Sequence, residues 1–234
     1  WGTVKSTENY ERRFVMTFPN ETLPKGRVQK TTALHDRLVA KGARMDQSFG
    51  LEHALWFANG PEDAHEDPSF ERNRSHEYVA REVAAVRNAV GGIEIANFAK
   101  HAFKGAGAHA YLNRILAGHI PHPGRLSLTP MLTPQGRLYG DLTIACLAED
   151  HFMLVGSGSM QEAHRRWFEA SLPSNVAYSN VSDLWHGIAL SGPKSRDLLA
   201  RICRDDVSGL ALKFRDTRHC FVGGVPVILN RISF

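Results

Sequence analysis

The residues best suited to chemistry fall in one short stretch, MLTPQGRLYGDLTI, Met131 to Ile144. It has the pattern of a β-hairpin turned at Thr133-Pro134-Gln135-Gly136. Beyond the turn, period-two alternation predicts Leu138, Gly140, Leu142 and Ile144 on one face and Arg137, Tyr139, Asp141 and Thr143 on the other. A carboxylate set between a tyrosine and a threonine on such a strand offers a fixed negative charge and a proton acceptor. The plain alternative is a solvated strand residue beside Tyr139, and the pattern alone leaves both open.

Other clusters offer less. GAGAH from Gly105 follows a strand pattern but lacks the third glycine and the downstream acid of a dinucleotide fingerprint, so a helix-entry turn is predicted. GSGSM from Gly156 has no P-loop lysine, and a turn capped by Ser159 ahead of a helix is predicted instead. There are 12 histidines. His119 and His122 share a proline-rich loop, yet no HExxH or carboxylate cluster accompanies them, and no metal site is predicted. Cys146, Cys203 and Cys220 are widely spaced, odd in number and without a CxxC pair. Neither a disulfide nor a zinc framework is expected, and a reducing compartment fits better. No nucleophile elbow is present. Trp56, Trp167 and Trp185 are expected to pack in the core or on strands.

The elements that must position Asp141 follow from the spacing of apolar residues. TTALHDRLVA predicts a helix over 31–41 stopped by Gly42, and ARMDQSFGLEHALWFA two short strands around Gly50. NGPEDAHEDPSFERNR, Asn59 to Arg74, is a charged, proline-containing connection and the best candidate boundary. Ser75 to Val90 is a predicted helix capped by Ser75, with Tyr78, Val79, Val83, Val86 and Val90 as its apolar stripe. GGIEIANFAKHAFKG predicts two strands, and residues 106–116 a helix with Tyr111, Leu112 and Ile115 inward. The second strand of the Met131–Ile144 hairpin should pair with HFMLVGS across Glu149-Asp150. Further helices are expected over 160–172, with Met160, Ala163, Trp167 and Phe168 on one side, and over GPKSRDLLARIC with Pro193 in its first turn. NVAYSNVSDLWHGIALSG predicts two more strands, and HCFVGGVPVILNRISF a closing hairpin turned by Gly223-Gly224. Helices alternate with antiparallel strands without a regular βαβ period, so the fold class is α+β. The predicted division is residues 1–74 and 75–234.

Composition bounds the function class. The chain has 234 residues, 43% hydrophobic and 22% charged, with a net charge of +4. That suits ordinary globular structure and a small anionic ligand. No Lys/Arg run marks a nucleic-acid face, no apolar run approaches a membrane span, and no signal peptide is evident. Trp1 in place of Met, and an apolar strand pattern running to Phe234, suggest an internal piece of a longer protein.

GLEHALWF (Gly50 to Phe57), MLTPQGRLYGDLTI, HFMLVGSGS (His151 to Ser159), SDLWHGIALSGPKSRDLL (Ser182 to Leu199) and NRISF together resemble the C-terminal half of dimethylglycine and sarcosine dehydrogenases. The rear half of those flavoproteins is similar to aminomethyltransferase, the T-protein of the glycine cleavage system. The motifs run in the same order with similar spacing over nearly the whole chain. The resemblance implies that residues 1–74 close the flavin oxidoreductase half. Residues 75–234 would begin the folate-binding, aminomethyltransferase-like domain. It further implies an FAD-dependent oxidation of an N-methyl amine, with FAD in a front half absent from this chain. Tetrahydrofolate would accept the one-carbon unit as 5,10-methylenetetrahydrofolate. Partners would be the amine, the missing flavin domain and an electron-transfer protein, in the cytoplasm or, in a eukaryote, the mitochondrial matrix.

By the same resemblance Asp141 is the catalytic acid. It faces a pteridine-shaped hollow and offsets positive charge at the folate nitrogens during carbon transfer. Phe98, Tyr139, Met131 and Leu128 are the implied folate contacts. Leu128 stands where T-proteins often have tyrosine, and Gly140 where they carry the first of two adjacent aspartates. In the family a glycine-rich segment carrying a folate-binding glutamate follows "RIS". The chain by itself is therefore expected to have an incomplete pocket and little or no activity. Two alternatives stand beside this reading. One is a non-catalytic relative acting through protein contacts, such as the regulatory subunit of pyruvate dehydrogenase phosphatase. The other is a free-standing folate-dependent aminomethyltransferase or demethylase.

Overall fold

The computed structural model describes residues 1–19 and 21–232; Ser233 and Phe234, which end the NRISF motif, lie outside the described residues. In chain order the elements are α1 (Gly2–Glu11), α2 (His35–Ala40), β1 (Ala43–Ser48), β2 (Leu51–Phe57), α3 (Ser75–Asn88), β3 (Gly91–Glu94), β4 (Ala99–Lys104), α4 (Ala108–Ile115), β5 (Arg125–Leu132) and β6 (Leu138–Ala148). There follow β7 (His151–Gly156), α5 (Gln161–Glu169), β8 (Ala177–Asn180), β9 (Ile188–Ser191), α6 (Ser195–Ile202), β10 (Thr217–Val222) and β11 (Val225–Asn230). Every ladder between these strands is antiparallel, which makes the class α+β as the spacing predicted. The chain divides into two compact units, Trp1–Glu94 with Ile188–Pro193, and Ile95–Gly187 with Lys194–Phe234.

In the first unit, β1 and β2 form the hairpin expected around Gly50, turned by Phe49 and Gly50 at positive φ. Helix α3 packs on β2 through Tyr78, whose ring stacks on Trp56 at 5.2 Å, and through Glu82, which accepts a hydrogen bond from the Phe57 N–H at 2.7 Å. Its apolar stripe is not a buried face: no α3 residue is buried, and Val79 and Val83 are exposed. Ser75 does not cap it either. Arg74 occupies that position, and the Ser75 hydroxyl donates to Asn73 Oδ1. Beneath the hairpin Glu52 is 1% exposed, and Arg27 grips its carboxylate through Nε at 2.8 Å and through Nη2. Such a bidentate pair satisfies a charge that could not otherwise be buried. β3 pairs with β9, 97 residues on from the first residue of each strand.

The second unit is built on a five-stranded sheet in the order β5-β6-β7-β4-β8. Alternation sends Phe103, Phe152, Leu154, Leu142 and Ile144 to one face, all fully buried with Ala108 and Leu112 of α4 and Phe168 of α5. The buried side of α5 is carried by His164 and Phe168 rather than by Ala163 as expected. His164 meets His101 of β4 edge to face at 6.3 Å. The His101 Nδ1 is hydrogen-bonded to the Tyr178 hydroxyl at 2.9 Å, and His164 Nε2 donates to the Tyr139 carbonyl at 3.2 Å. Burial, and for His101 also the neighbouring His164, lower both imidazole pKa values, that of His101 to about 4. His101 is therefore neutral at pH 7, and burial favours the neutral ring at His164 as well. The β10–β11 hairpin is turned by Gly223 and Gly224, both at positive φ, as the Gly-Gly pair predicted.

Two tests follow. Neutral buried histidines bind fewer protons folded than unfolded, so stability is complete above pH ~6.5, where the unfolded chain's imidazoles are also neutral. It should fall by on the order of 3 kcal/mol as the pH drops toward 4, given a His101 value of about 4. Urea unfolding of wild type and His101→Gln between pH 7.5 and 4.5 measures this, and an equal slope in both proteins would remove His101 as the cause. In the first unit, Arg27→Met strands a buried carboxylate and should cost roughly 3–5 kcal/mol, with Glu52→Gln in the same chain recovering part of it. A denaturation midpoint unmoved by Arg27→Met would refute the pairing as a source of stability.

Candidate functional site

Asp141 lies in β6 directly opposite Pro130 of β5, and Thr143 lies opposite Leu128. Thr143 in turn faces Val155 of β7, and Val155 faces Lys100 of β4. Residues directly opposite one another share a face. Asp141, Pro130, Leu128, Thr143, Val155 and Lys100 thus lie on the face opposite the helix-packed core. Asp141 is exposed, Leu128 is 67% exposed, and Pro130, Thr143 and Val155 are half-buried. Proline is tolerated at 130 because β5 is the edge strand of its sheet. The result is a carboxylate fixed on rigid backbone above a partly apolar floor.

Two shallow grooves, one lined by Arg12, Glu21, Arg44 and Glu66 and the other by Phe70, Asn73 and Val79, belong to the first unit, and Asp141 lines neither. Met131 is fully buried in the sheet core, where its side chain is closed off from a ligand on the Asp141 face. Phe98 is 41% exposed in the turn ahead of β4. Its carbonyl accepts a hydrogen bond from Lys100 Nζ at 2.7 Å, which ties the Phe98 turn to a strand residue on the Asp141 face. Lys100 was not anticipated, although the alternation of FAKHAFK, with Ala99, His101 and Phe103 inward, was the signal that would have placed it.

Tyr139 does not share a face with Asp141 as strict alternation predicted. The register slips between Met131 and Leu132, which face Gly140 and Leu138, so Tyr139 is the extra residue of a β-bulge. Its ring packs on Trp167 at 4.6 Å and near His164 at 5.9 Å, on the helix-covered side, while Leu138 is left 67% exposed. Gly140 follows from the same contact. A Cβ there would stand 2.8 Å from His164 Nε2 and 3.3 Å from the Met131 methyl. A side chain at 140 would require the His164 ring to shift from this position.

Comparison with known proteins gives a consistent picture. Residues 34–234 match the profile described as the GCVT N-terminal domain. The chain is 31% identical over 236 residues to the mitochondrial dimethylglycine dehydrogenase of Mus musculus, covering 99% of this chain and 27% of that protein. It is 25% identical over 158 residues to the aminomethyltransferase of Halothermothrix orenii, covering 67% and 44%. It thus spans about a quarter of the length of the dimethylglycine dehydrogenase it matches. The crystal structure of the glycine cleavage system aminomethyltransferase T from Bartonella henselae superposes with a TM-score of 0.64 at 20% identity over 82% of this chain and 48% of that one, a likeness of fold. With the profile running through the whole second unit and the site strand, the chain belongs to the GCVT family, in its N-terminal domain.

Proposed function

We propose that this chain is the folate-binding, one-carbon-transferring region of an amine oxidoreductase of the dimethylglycine and sarcosine dehydrogenase type. The observation that carries the reading is Asp141: an exposed carboxylate held by strand backbone on the open sheet face, with Leu128 and Pro130 beside it. A flat ring system with polar edges suits such a surface. Apolar atoms contact its plane, and the carboxylate meets the nitrogens where positive charge develops. Phe98, held through its carbonyl by Lys100, supplies an aromatic edge to the same end of the sheet. Tyr139 and Met131 act indirectly, by fixing the strand from its buried side.

The relatives weigh toward the oxidoreductase over a free-standing aminomethyltransferase. Alignment to dimethylglycine dehydrogenase takes in 99% of the chain, including residues ahead of the family match at 34, whereas that to the H. orenii aminomethyltransferase takes in 67%. In this proposal FAD belongs to a flavin half of the same polypeptide, which oxidises the N-methyl amine and passes electrons to a carrier protein. The residues described here bind and orient tetrahydrofolate, and Asp141 offsets charge and accepts a proton during methylene transfer. In a eukaryote the setting is the mitochondrial matrix.

The effect of Asp141 depends on water. Opposite charges 4 Å apart attract by about 1 kcal/mol in bulk water but about 4 kcal/mol near a protein surface shielded from it. The open face must therefore be closed by the rest of the protein once folate is bound. Asp141→Ala in the full-length polypeptide should lower methylenetetrahydrofolate production roughly 100-fold, the scale of one lost electrostatic stabiliser. Folding stability should move by less than about 0.5 kcal/mol, as for a surface substitution. Calorimetric titration with tetrahydrofolate, together with product assay, reads both. Unchanged binding heat and unchanged product would take Asp141 out of the mechanism.

A further inference from the structure

A second cluster of chemically able side chains lies in the second unit, apart from the residues assigned to folate. Cys203 directly follows α6 and forms a bridge with Val222 of β10; Cys220 is on β10 itself, two residues earlier. Both thiols are buried, 7% and 5% exposed, in a small apolar cluster with Val207 and Leu212, while the neighbouring Asp205 is exposed. Cys203 Sγ and Asp205 Oδ2 are 3.9 Å apart, and the ligand atoms of Cys203, Asp205 and Cys220 all lie within 4.8 Å of one another. Among the described residues these three form the one such group of sulfur, nitrogen or carboxylate donors.

We propose that Cys203, Cys220 and Asp205 form a binding site for a thiophilic divalent cation of the zinc class, its fourth position open to solvent on the Asp205 side. The dimensions suit it. An ion bonded at about 2.3 Å to sulfur and about 2.0–2.2 Å to oxygen in tetrahedral geometry needs donors roughly 3.5–3.8 Å apart, so the three atoms would close in by an ångström or less. Two soft thiolates select zinc over magnesium or calcium. A disulfide fits less well. Cys203 pairs in register with Val222, so Cys220 is its diagonal neighbour, a relation in which Cα atoms stand about 7–8 Å apart, beyond the usual reach of an S–S bond.

An independent observation points the same way. Arg218, two residues before Cys220 and on the same strand face, has a buried Nε with no hydrogen-bond partner among the described residues, while its Nη2 donates to the Asp206 carbonyl. Two thiolates and a carboxylate around a doubly charged cation leave one net negative charge. Arg218 is placed to neutralise it, and its idle N–H can donate to the Cys220 sulfur, as outer partners of metal ligands do.

The test is made on the 234-residue chain. Stripped protein given one equivalent of zinc and dialysed should retain one zinc per chain by elemental analysis. Cobalt(II) in its place should show sulfur-to-metal charge-transfer absorption. Zinc should slow alkylation of Cys203 and Cys220, located by peptide mass spectrometry, and leave the rate at Cys146, in the sheet core, unchanged. These readouts need no variant, so they stand even if Cys203→Ser fails to fold. Where variants fold, Cys203→Ser and Cys220→Ser should lose the zinc, and Arg218→Gln should weaken retention about 10-fold. Loss of zinc on dialysis, a cobalt spectrum without sulfur bands, protection that spares Cys203 or Cys220, or a Cys203–Cys220 disulfide in the purified chain would each overturn the site.

Discussion

In a five-stranded sheet, side-chain alternation sends every strand residue to one of two faces. That constraint governs the second unit. Because side chains alternate strictly, Phe103, Phe152, Leu154, Leu142 and Ile144 cannot be buried without Asp141, Thr143, Leu128 and Val155 being turned the other way. Burial of each large apolar side chain contributes roughly 1.5–3 kcal/mol, so the core outweighs anything a single carboxylate could oppose. The position of Asp141 is thus fixed by side chains buried on the opposite face of the sheet. The bulge at Tyr139 is the local exception. It slips the register by one residue, feeds an extra aromatic ring into the helix-covered side and leaves Leu138 exposed.

That bulge also explains the chemistry of the core behind the site. His164 reaches the Tyr139 carbonyl because Gly140 leaves room for it. An acid at 140 would put a carboxylate into the closed face against an imidazole, where each charge could be kept only by the other. With glycine there, one nitrogen of each ring is held, His164 Nε2 by the Tyr139 carbonyl and His101 Nδ1 by the Tyr178 hydroxyl. His164 Nδ1 and His101 Nε2 are buried without a partner among the described residues, and burial lowers both pKa values. Gly140 in place of a first acid, and a neutral His164 facing it, are one structural choice. On the Asp141 face Leu126, Ala145 and Met153 are buried, and the single carboxylate of this turn lies toward the exposed end of that face.

The α+β class, the hairpins at Gly50, Gly136 and Gly223-Gly224, and the pairing of β6 with β7 were legible because period-two alternation and turn glycines are local signals. So was the identity of the core face of β6 from Gly140 to Ile144. What failed to show in the sequence depended on something distant. The apolar stripe of α3 has ordinary helical spacing, yet it rests on one stacked pair, Tyr78 on Trp56, and buries no residue. The bulge at Tyr139 is set by how β5 ends, and α5 turns His164 inward because Gly140 lies 24 residues before it in the chain. Cys203 and Cys220 looked unrelated at a spacing of 17, since no short metal motif joins them. Only the return of β10 past the end of α6 brings the sulfurs together.

The site strand and the closing hairpin are also mechanically linked, through the edge of the sheet. An edge strand exposes unpaired backbone groups and invites unwanted pairing. Here β5, which carries Leu128 and Pro130, is covered by the segment leading into β10. The Leu126 N–H donates to the Arg215 carbonyl at 2.9 Å, and the Arg215 Nε donates to the Leu126 carbonyl at 3.0 Å. Arg215 Nη2 reaches Ser127 Oγ at 2.8 Å, Asp216 pairs with Arg125, and the Thr217 N–H donates to the Gly124 carbonyl. Arg215 adopts positive φ, a conformation that costs a non-glycine residue energy and persists only when its surroundings impose it. The guanidinium contacts of that same residue supply the constraint. Order in the hairpin that holds Cys220 therefore stiffens the strand beneath Asp141, and a device that rigidifies the first rigidifies the floor on which the second stands.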